Sequence, residues 1–273
     1  MDLQAVPKVI DGDIHCVVPS ITSLLPYLPA YWQEQISQSG FKGPVDDPYP
    51  RAAAALLHPD AQPPAGQPAG SDLGRMREQV LDAWNVAYGI LTCTYAVDSL
   101  HNPDAALAVA RAVNEWQRAE WLDQEPRLRA SIVVPIQQPH AAAEEIKRLG
   151  QHPGFVQVLL PVRSPVPYGN RYYHPIYAAA AQHDLVVGIH FGGAPGNPPT
   201  PAGWPSFYIE EYAGMASLFQ SQLLSLVAEG VFDQFPTLRV VLIESGWSWL
   251  PSLMWRFDKE WRGLRREVPW VRR

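Results

Sequence analysis

Four residues have the types and placement to do chemistry together: Asp13 and His15 in VIDGDIH, His190 in VVGIHFGG, and Glu244 in LRVVLIESG. Each interrupts a hydrophobic run at its C-terminal end, where burying an unpaired charge would be costly. Asp13 and His15 lie two apart, so a strand directs both side chains to one face. Convergent imidazoles and carboxylates suit Zn²⁺, Mn²⁺ or Fe²⁺, with the carboxylates tilting the set away from the softest metals. Each residue also has a bland explanation on its own. D-x-H suits a polar turn, His190 could be a packed core histidine, and Glu244 could cap a turn or pair with an arginine. Placed at equivalent ends of three strands, they favour a metal site. Asp11 lies two positions deeper on the same face and joins them only if the strand bulges.

The elements that must position these residues are short apolar runs alternating with helical patterns. Strands are expected at 8–15, 85–94, 128–135, 154–161, 185–191 and 238–246, all rich in Val, Ile and Leu with little alternation. That pattern fits parallel strands buried on both faces. Helices are expected over 71–84, 103–122, 140–150, 174–184, about 207–229 and from Ser248 onward. Asn102 before Pro103 forms an N-cap and N1 pair, and Gly150 suits a helix C-cap. Repeated β-then-α units indicate an α/β fold, either a TIM-type (β/α) barrel or an open doubly wound sheet. No glycine-rich phosphate loop follows the first strand, which disfavours the nucleotide-binding open sheet. A complete barrel has eight strands, and six are visible here, so an incomplete barrel is expected. One domain is expected over 1–273, with a loop and short-helix excursion at about 16–70.

Composition narrows the partners. The 273 residues are 47% hydrophobic and 18% charged with net charge −6, the profile of a globular protein with a sizeable core. The most basic stretch is the tail RGLRREVPWVRR, so nucleic acid is not the expected partner. No basic segment precedes an apolar one in the first twenty residues, and no apolar run approaches bilayer-spanning length. A cytoplasmic protein with no membrane partner is therefore expected. Cys16 and Cys93 lack metal-type spacing and are expected to be reduced and structural. Proline-rich loops such as GGAPGNPPTPAGWP are long enough to be functional. Arg163, Asn170, His174 and Trp204, in loops after the fourth and fifth strands, are candidates to bind a small-molecule substrate, with Tyr208 a further lid residue. Trp247, Trp249, Trp255 and Trp261 are expected in the core from their helical spacing. His58, His101, His140 and His152 are expected on the surface without function.

VIDGDIH, GFVQVLLP, VVGIHFGG and above all GVFDQFPTLRVVLIESGWSWLPSLMWRFDKEW carry a family resemblance. In the last, a Phe-Pro-x-Leu strand is followed by Gly, Trp and Arg-x-Asp. Over essentially its whole length the chain resembles the amidohydrolase-related metal-dependent hydrolases, in the branch of aminocarboxymuconate-semialdehyde decarboxylase and the resorcylate-type decarboxylases. The resemblance implies a TIM-type barrel and one divalent metal, Zn²⁺ first with Mn²⁺ or Fe²⁺ as alternatives. It also implies hydrolysis or non-oxidative decarboxylation of a small carboxylated substrate. The family's first-strand ligands fall on Asp13 and His15, and its fifth-strand histidine on His190. Its sixth-strand histidine, thought to act in proton transfer, is replaced by Glu244. The family's aspartate at the end of strand eight has no counterpart before Arg273. The resemblance therefore implies a homo-oligomer or a second chain that completes the barrel. The alternative is a catalytically incomplete, truncated or split-gene barrel acting as a structural or assembly subunit.

Overall fold

Parallel strands cannot be joined by tight turns, so each β unit here must be followed by a crossover that packs on the sheet. The chain follows that rule throughout. In the computed structural model, which describes residues 8–44, 49, 57–63, 66–193 and 196–271, six parallel strands pair in chain order. They are β1 Val9–His15, β2 Val86–Thr92, β3 Leu128–Val133, β4 Phe155–Pro161, β5 Val186–His190 and β6 Arg239–Ile243. Each lies within its sequence-predicted range. The helices are α1 Ala30–Ser39, α2 Leu73–Met76, α3 Pro103–Gln117, α4 Pro139–Leu149 and α5 His174–Gln182. They continue with α6 Tyr208–Gly214, α7 Ala216–Ala228, α8 Val231–Gln234 and α9 Leu250–Leu264. A π-helical turn extends α2 over Arg77–Asp82 and α3 over Arg118–Leu122. The expected helix over 207–229 is broken between α6 and α7 at Met215.

Local chemistry explains several boundaries. The Asn102 side chain accepts from the backbone N–H groups of Asp104 and Ala105, and Pro103 opens α3 as expected. Gly150 ends α4 with an ordinary right-handed backbone. Its glycine is required by space, since a Cβ there would sit 2.5 Å from the His183 ring. The excursion after β1 contains a 3₁₀ turn at Ile21–Tyr27 and then α1, separated by Pro29. Within it, residues 45–48, 50–56 and 64–65 lie outside the described residues. The chain returns at Gly70, whose carbonyl accepts from Val17 N–H at 2.9 Å. Gly70 is left-handed, and a Cβ on it would lie 2.8 Å from the His15 carbonyl oxygen.

The core lies between the strands and α3, α4 and α5, around Val109, Val113, Ile132, Ile146, Val158 and Ile176. A buried polar joint ties this layer together. Asn114 on α3 donates to the Val133 carbonyl and to Glu145, and its oxygen accepts from Val133 N–H, all at 2.9 Å. Both cysteines are free and buried, as expected. Among the described residues, no helix is long and apolar enough to cross a membrane.

Among the described residues the sheet has two free edges, because β1 and β6 each pair with one neighbour. The tryptophan expectation is corrected here. Trp247 and Trp255 are 79% and 76% exposed, and α9 has no buried residue. Trp249 and Trp261 are half-buried. Helical spacing identified an apolar stripe but carries no information on what covers it. Ile10 on β1 is likewise 70% exposed, and Val241 on β6 is also solvent-facing.

At the N-terminal end of the strands, Glu125 accepts from Arg127 Nε and Nη2 and from Arg77 Nε, each at 2.9 Å. The fork from Arg127, outweighing burial and helped by Arg77, lowers the Glu125 carboxyl from 4.5 to about 2. Its stabilising contribution is therefore complete above about pH 4.5 and is lost as pH falls toward 2. Glu125→Gln is predicted to cost about 1–3 kcal/mol at neutral pH and to flatten the acid limb of the stability profile. Urea denaturation across pH 2–7 would show both effects.

Candidate metal centre

Asp13 and His15 come from β1 and its bulge. Asp11 pairs with Gly89 while Ile14 pairs with Leu91, so β1 carries one more residue than β2 across that step. The extra residue re-aims Asp13, as bulges beside functional sites do. Its backbone N–H donates to Asp11 Oδ1 at 3.1 Å. Asp11 thus supports the bulge and stays outside the cluster. His190 ends β5, and Glu244 directly follows β6.

On a flat sheet β1 and β5 would be four spacings, about 19 Å, apart. Yet Asp13 Oδ2 lies 3.6 Å from His190 Nε2. The sheet is therefore strongly curled, and its C-terminal strand ends converge. His15 Nε2 lies 3.9 Å from Asp13 Oδ1 and 4.0 Å from Glu244 Oε1. Glu244 Oε2 lies 3.8 Å from His190 Nε2. One ligand atom from each of Asp13, His15, His190 and Glu244 falls within 4.8 Å of all the others. These separations are too long for hydrogen bonds. They approach the roughly 3.4 Å expected between donors sharing a tetrahedral ion at about 2.1 Å.

The donor set fits a divalent cation on further grounds. His190 is 2% exposed, and its Nδ1 lies 2.6 Å from the Phe191 carbonyl. That contact places the proton on Nδ1 and leaves the Nε2 lone pair facing the cluster, the tautomer a metal ligand needs. His190 Nε2 and Asp13 Oδ1 are both buried without a hydrogen-bond partner. Burial would raise the Asp13 carboxyl, but His190, Thr92 and the charge of His15 hold it below the usual range. Burial, reinforced by His190, lowers His15 against the opposing pull of Asp13 and Glu244. His190 is raised, because Asp13, the Phe191 carbonyl and Glu244 outweigh burial.

Glu244 has φ +60°, a left-handed conformation unusual for a residue with a side chain. The turn is held by Trp249, whose indole N–H donates to the Ser245 carbonyl at 2.8 Å. A cavity of about 220 Å³ adjoins Glu244 and is lined by Phe191, Tyr212, Met215, Ala216 and Gly246. A larger one of about 400 Å³ lies outside the sheet between α4 and α5, remote from the cluster.

The structure separates the other substrate candidates. Arg163 is buried beyond the end of β4 and paired with Glu211 of α6. Asn170 caps a 3₁₀ turn by accepting from Tyr172 N–H at 2.9 Å. His174 packs edge-on against Phe235 with ring centroids 5.3 Å apart. Trp204 is solvent-facing. None of these four belongs to the metal-type cluster. Tyr208 stacks toward Tyr49 and Tyr212, and Tyr212 toward Phe191. Sequence reading missed Thr92, Tyr212 and Glu211. Thr92 ends β2 as a polar residue after an apolar run, the same signal that marked His190. Nothing in the sequence of α6 marked the other two.

Because Glu244 combines backbone strain with a second carboxylate facing Asp13, Glu244→Gly is predicted to raise metal-free stability by about 0.5–1 kcal/mol. The same variant is predicted to lose affinity for Mn²⁺. Thermal denaturation with and without the metal reads both, and a destabilised metal-free variant would contradict the strain account.

Comparison with known proteins bears on the family and the fold. Over residues 10–273 the chain matches the family model described as Amidohydrolase. It is 29% identical over 203 residues to a gamma-resorcylate decarboxylase of Rhodococcus jostii, covering 68% of this chain and 60% of that protein. A gamma-resorcylate decarboxylase of a Rhizobium species is 29% identical over 217 residues, covering 74% and 64%. The chain thus spans under two thirds of the length of these relatives. Among solved structures, 2,6-dihydroxybenzoate decarboxylase from Rhizobium superposes with TM-score 0.62 at 21% identity, covering 93% of this chain and 72% of the other. A 5-carboxyvanillate decarboxylase of Novosphingobium aromaticivorans, solved with bound manganese, gives TM-score 0.67 at 20% identity, covering 95% and 72%. These structural likenesses support the incomplete-barrel reading of the fold. The chain belongs to the amidohydrolase family.

Proposed function

We propose that this chain forms the metal-binding part of a non-oxidative decarboxylase acting on a small aromatic carboxylate. The observation that carries the reading is the meeting of Asp13, His15, His190 and Glu244, with two of their ligand atoms buried and partnerless. Asp13, His15 and His190 would hold the ion. Mn²⁺ is favoured over the Zn²⁺ expected first, since a carboxylate-bearing site suits a harder ion and solved neighbours bind manganese. The ion supplies positive charge against which substrate oxygens are fixed. The names of the relatives favour decarboxylation over hydrolysis.

In this reading Glu244 moves the proton. The bond between ring carbon and carboxylate breaks, carbon dioxide leaves, and the electron pair stays on the ring carbon. Glu244 gives that carbon a proton and recovers one from water. Its strained turn holds the carboxyl over the converging strand ends, beside the cavity lined by Phe191 and Tyr212. Those aromatic walls suit a flat ring. Arg163 would meet a substrate oxygen.

The open edges of β1 and β6 and the exposed stripe on α9 favour a second reading of how the chain works. Unpaired parallel edges are templates for further strands. They suit a polypeptide that carries the strands completing the sheet, with this chain as its metal-binding or purely structural partner.

After reconstitution with Mn²⁺ and desalting, the chain is predicted to keep about one equivalent of metal, and His190→Ala under about 0.2. Carbon dioxide release from 2,6-dihydroxybenzoate is predicted to follow metal content. Wild-type occupancy under about 0.2 equivalents would overturn the metal reading. Full occupancy without turnover of any aromatic acid would favour the structural reading.

A further inference from the structure

Apart from the metal cluster, the barrel mouth contains a second pair of opposite charges that is satisfied only in part. Arg163 and Glu211 are 3% and 2% exposed. Arg163 Nη2 lies 3.3 Å from Glu211 Oε1. Among the described residues, Arg163 Nε and Nη1 and Glu211 Oε2 are buried without hydrogen-bond partners. Such groups carry a full desolvation cost, and native structures rarely leave several together unless something else occupies the place.

The position of the pair indicates what that occupant is. Along β4 the alternation of Gln157, Leu159, Pro161 and Arg163 puts all four on one face. Pro161 is in register with His190, and Arg163 N–H continues the pairing by donating to the Gly192 carbonyl at 3.0 Å. Arg163 thus projects from the His190 face, one rung nearer the barrel mouth. Gly193 allows the following loop to lie on it, since a Cβ there would come within 2.5 Å of Arg163 Cβ. Glu211 approaches from α6, and the next residue, Tyr212, lines the cavity beside Glu244. The Tyr49 phenol also borders the pair, held above its usual range by burial and by Glu211.

We propose that Arg163 is the anchor for an organic carboxylate, and that Glu211 occupies it as a stand-in until the ligand's carboxylate takes its place. The substrate class rests on the decarboxylase reading, whereas the anion site itself rests only on the Arg163–Glu211 geometry. A guanidinium with free donors matches a carboxylate in charge and planar shape. Because both acids compete for one cation, ligand entry would release Glu211 and the segment of α6 that bears it. The same exchange would orient an aromatic acid with its ring toward Phe191 and Tyr212.

The exchange predicts effects of opposite sign, whereas a purely structural ion pair does not. Benzoate and phenol serve as probes in calorimetric titrations of the full chain, both metal-loaded and metal-stripped. Arg163→Gln is expected to weaken benzoate at least tenfold while changing phenol less than threefold. Glu211→Gln, which removes the competitor, is expected to tighten benzoate severalfold. Benzoate is also expected to raise the melting temperature of Glu211→Gln more than that of the wild type. Should Arg163→Gln fail to fold, Arg163→Lys keeps the charge and is expected to retain the preference for benzoate over phenol with reduced affinity. Benzoate binding unchanged or weakened by Glu211→Gln would overturn the proposal, as would equal losses for benzoate and phenol in either Arg163 variant. Metal uptake and carbon dioxide release are read separately, so this result and the decarboxylase reading can fail independently.

Discussion

The curl of the parallel sheet is the constraint on which the other features depend. It brings the end of β1 against the ends of β5 and β6 and packs two carboxylates and two imidazoles within 4.8 Å. Without a cation, Asp13 and Glu244 face each other across partly dehydrated space, and their nearest compensation is the imidazole pair. That arrangement is costly in a bare protein and favourable around a divalent ion. The backbone concessions occur in the same place. A bulge re-aims Asp13, and a left-handed residue turns Glu244 inward. Strain collected at one end of the strands while the other end is stapled by Glu125, Arg127 and Arg77 is the division of labour expected of a (β/α) architecture.

The mouth above this cluster is graded in character. The metal-type donors lie at the strand ends, an aromatic wall of Phe191 and Tyr212 stands beside them, and the Arg163–Glu211 pair lies one rung outward. The outward pair is buried as completely as the core, so its polar groups are held in position before any ligand arrives. In the proposed exchange only the Arg163 side is preorganised, because Glu211 has to leave it.

Much of this was legible in the sequence, for identifiable reasons. Strands buried on both faces read as continuous Val, Ile and Leu runs, and a charge at the end of such a run stands out. Asp13, His15, His190 and Glu244 were found that way, and the structure brought all four together. The bulge was not legible, because a seven-residue strand with one extra residue has the same composition as one without. Arg163 was visible as a charged residue after an apolar strand, but its partner on α6 was not, since nothing local distinguishes Glu211 from Glu210. The last helix shows the opposite error. The tryptophans in it and just before it have core spacing, yet Trp255 and, ahead of the helix, Trp247 face solvent because periodicity defines a face and not what covers it.

The central claim is that Asp13, His15 and His190 hold one divalent ion at the converging strand ends. The most direct test is anomalous diffraction from crystals of the chain soaked in Mn²⁺. The account predicts one strong peak within about 2.0–2.3 Å of Asp13 carboxylate oxygen, His15 nitrogen and His190 Nε2, with Glu244 beside it. A peak elsewhere, or none at saturating Mn²⁺ with these four side chains still in place, would contradict it.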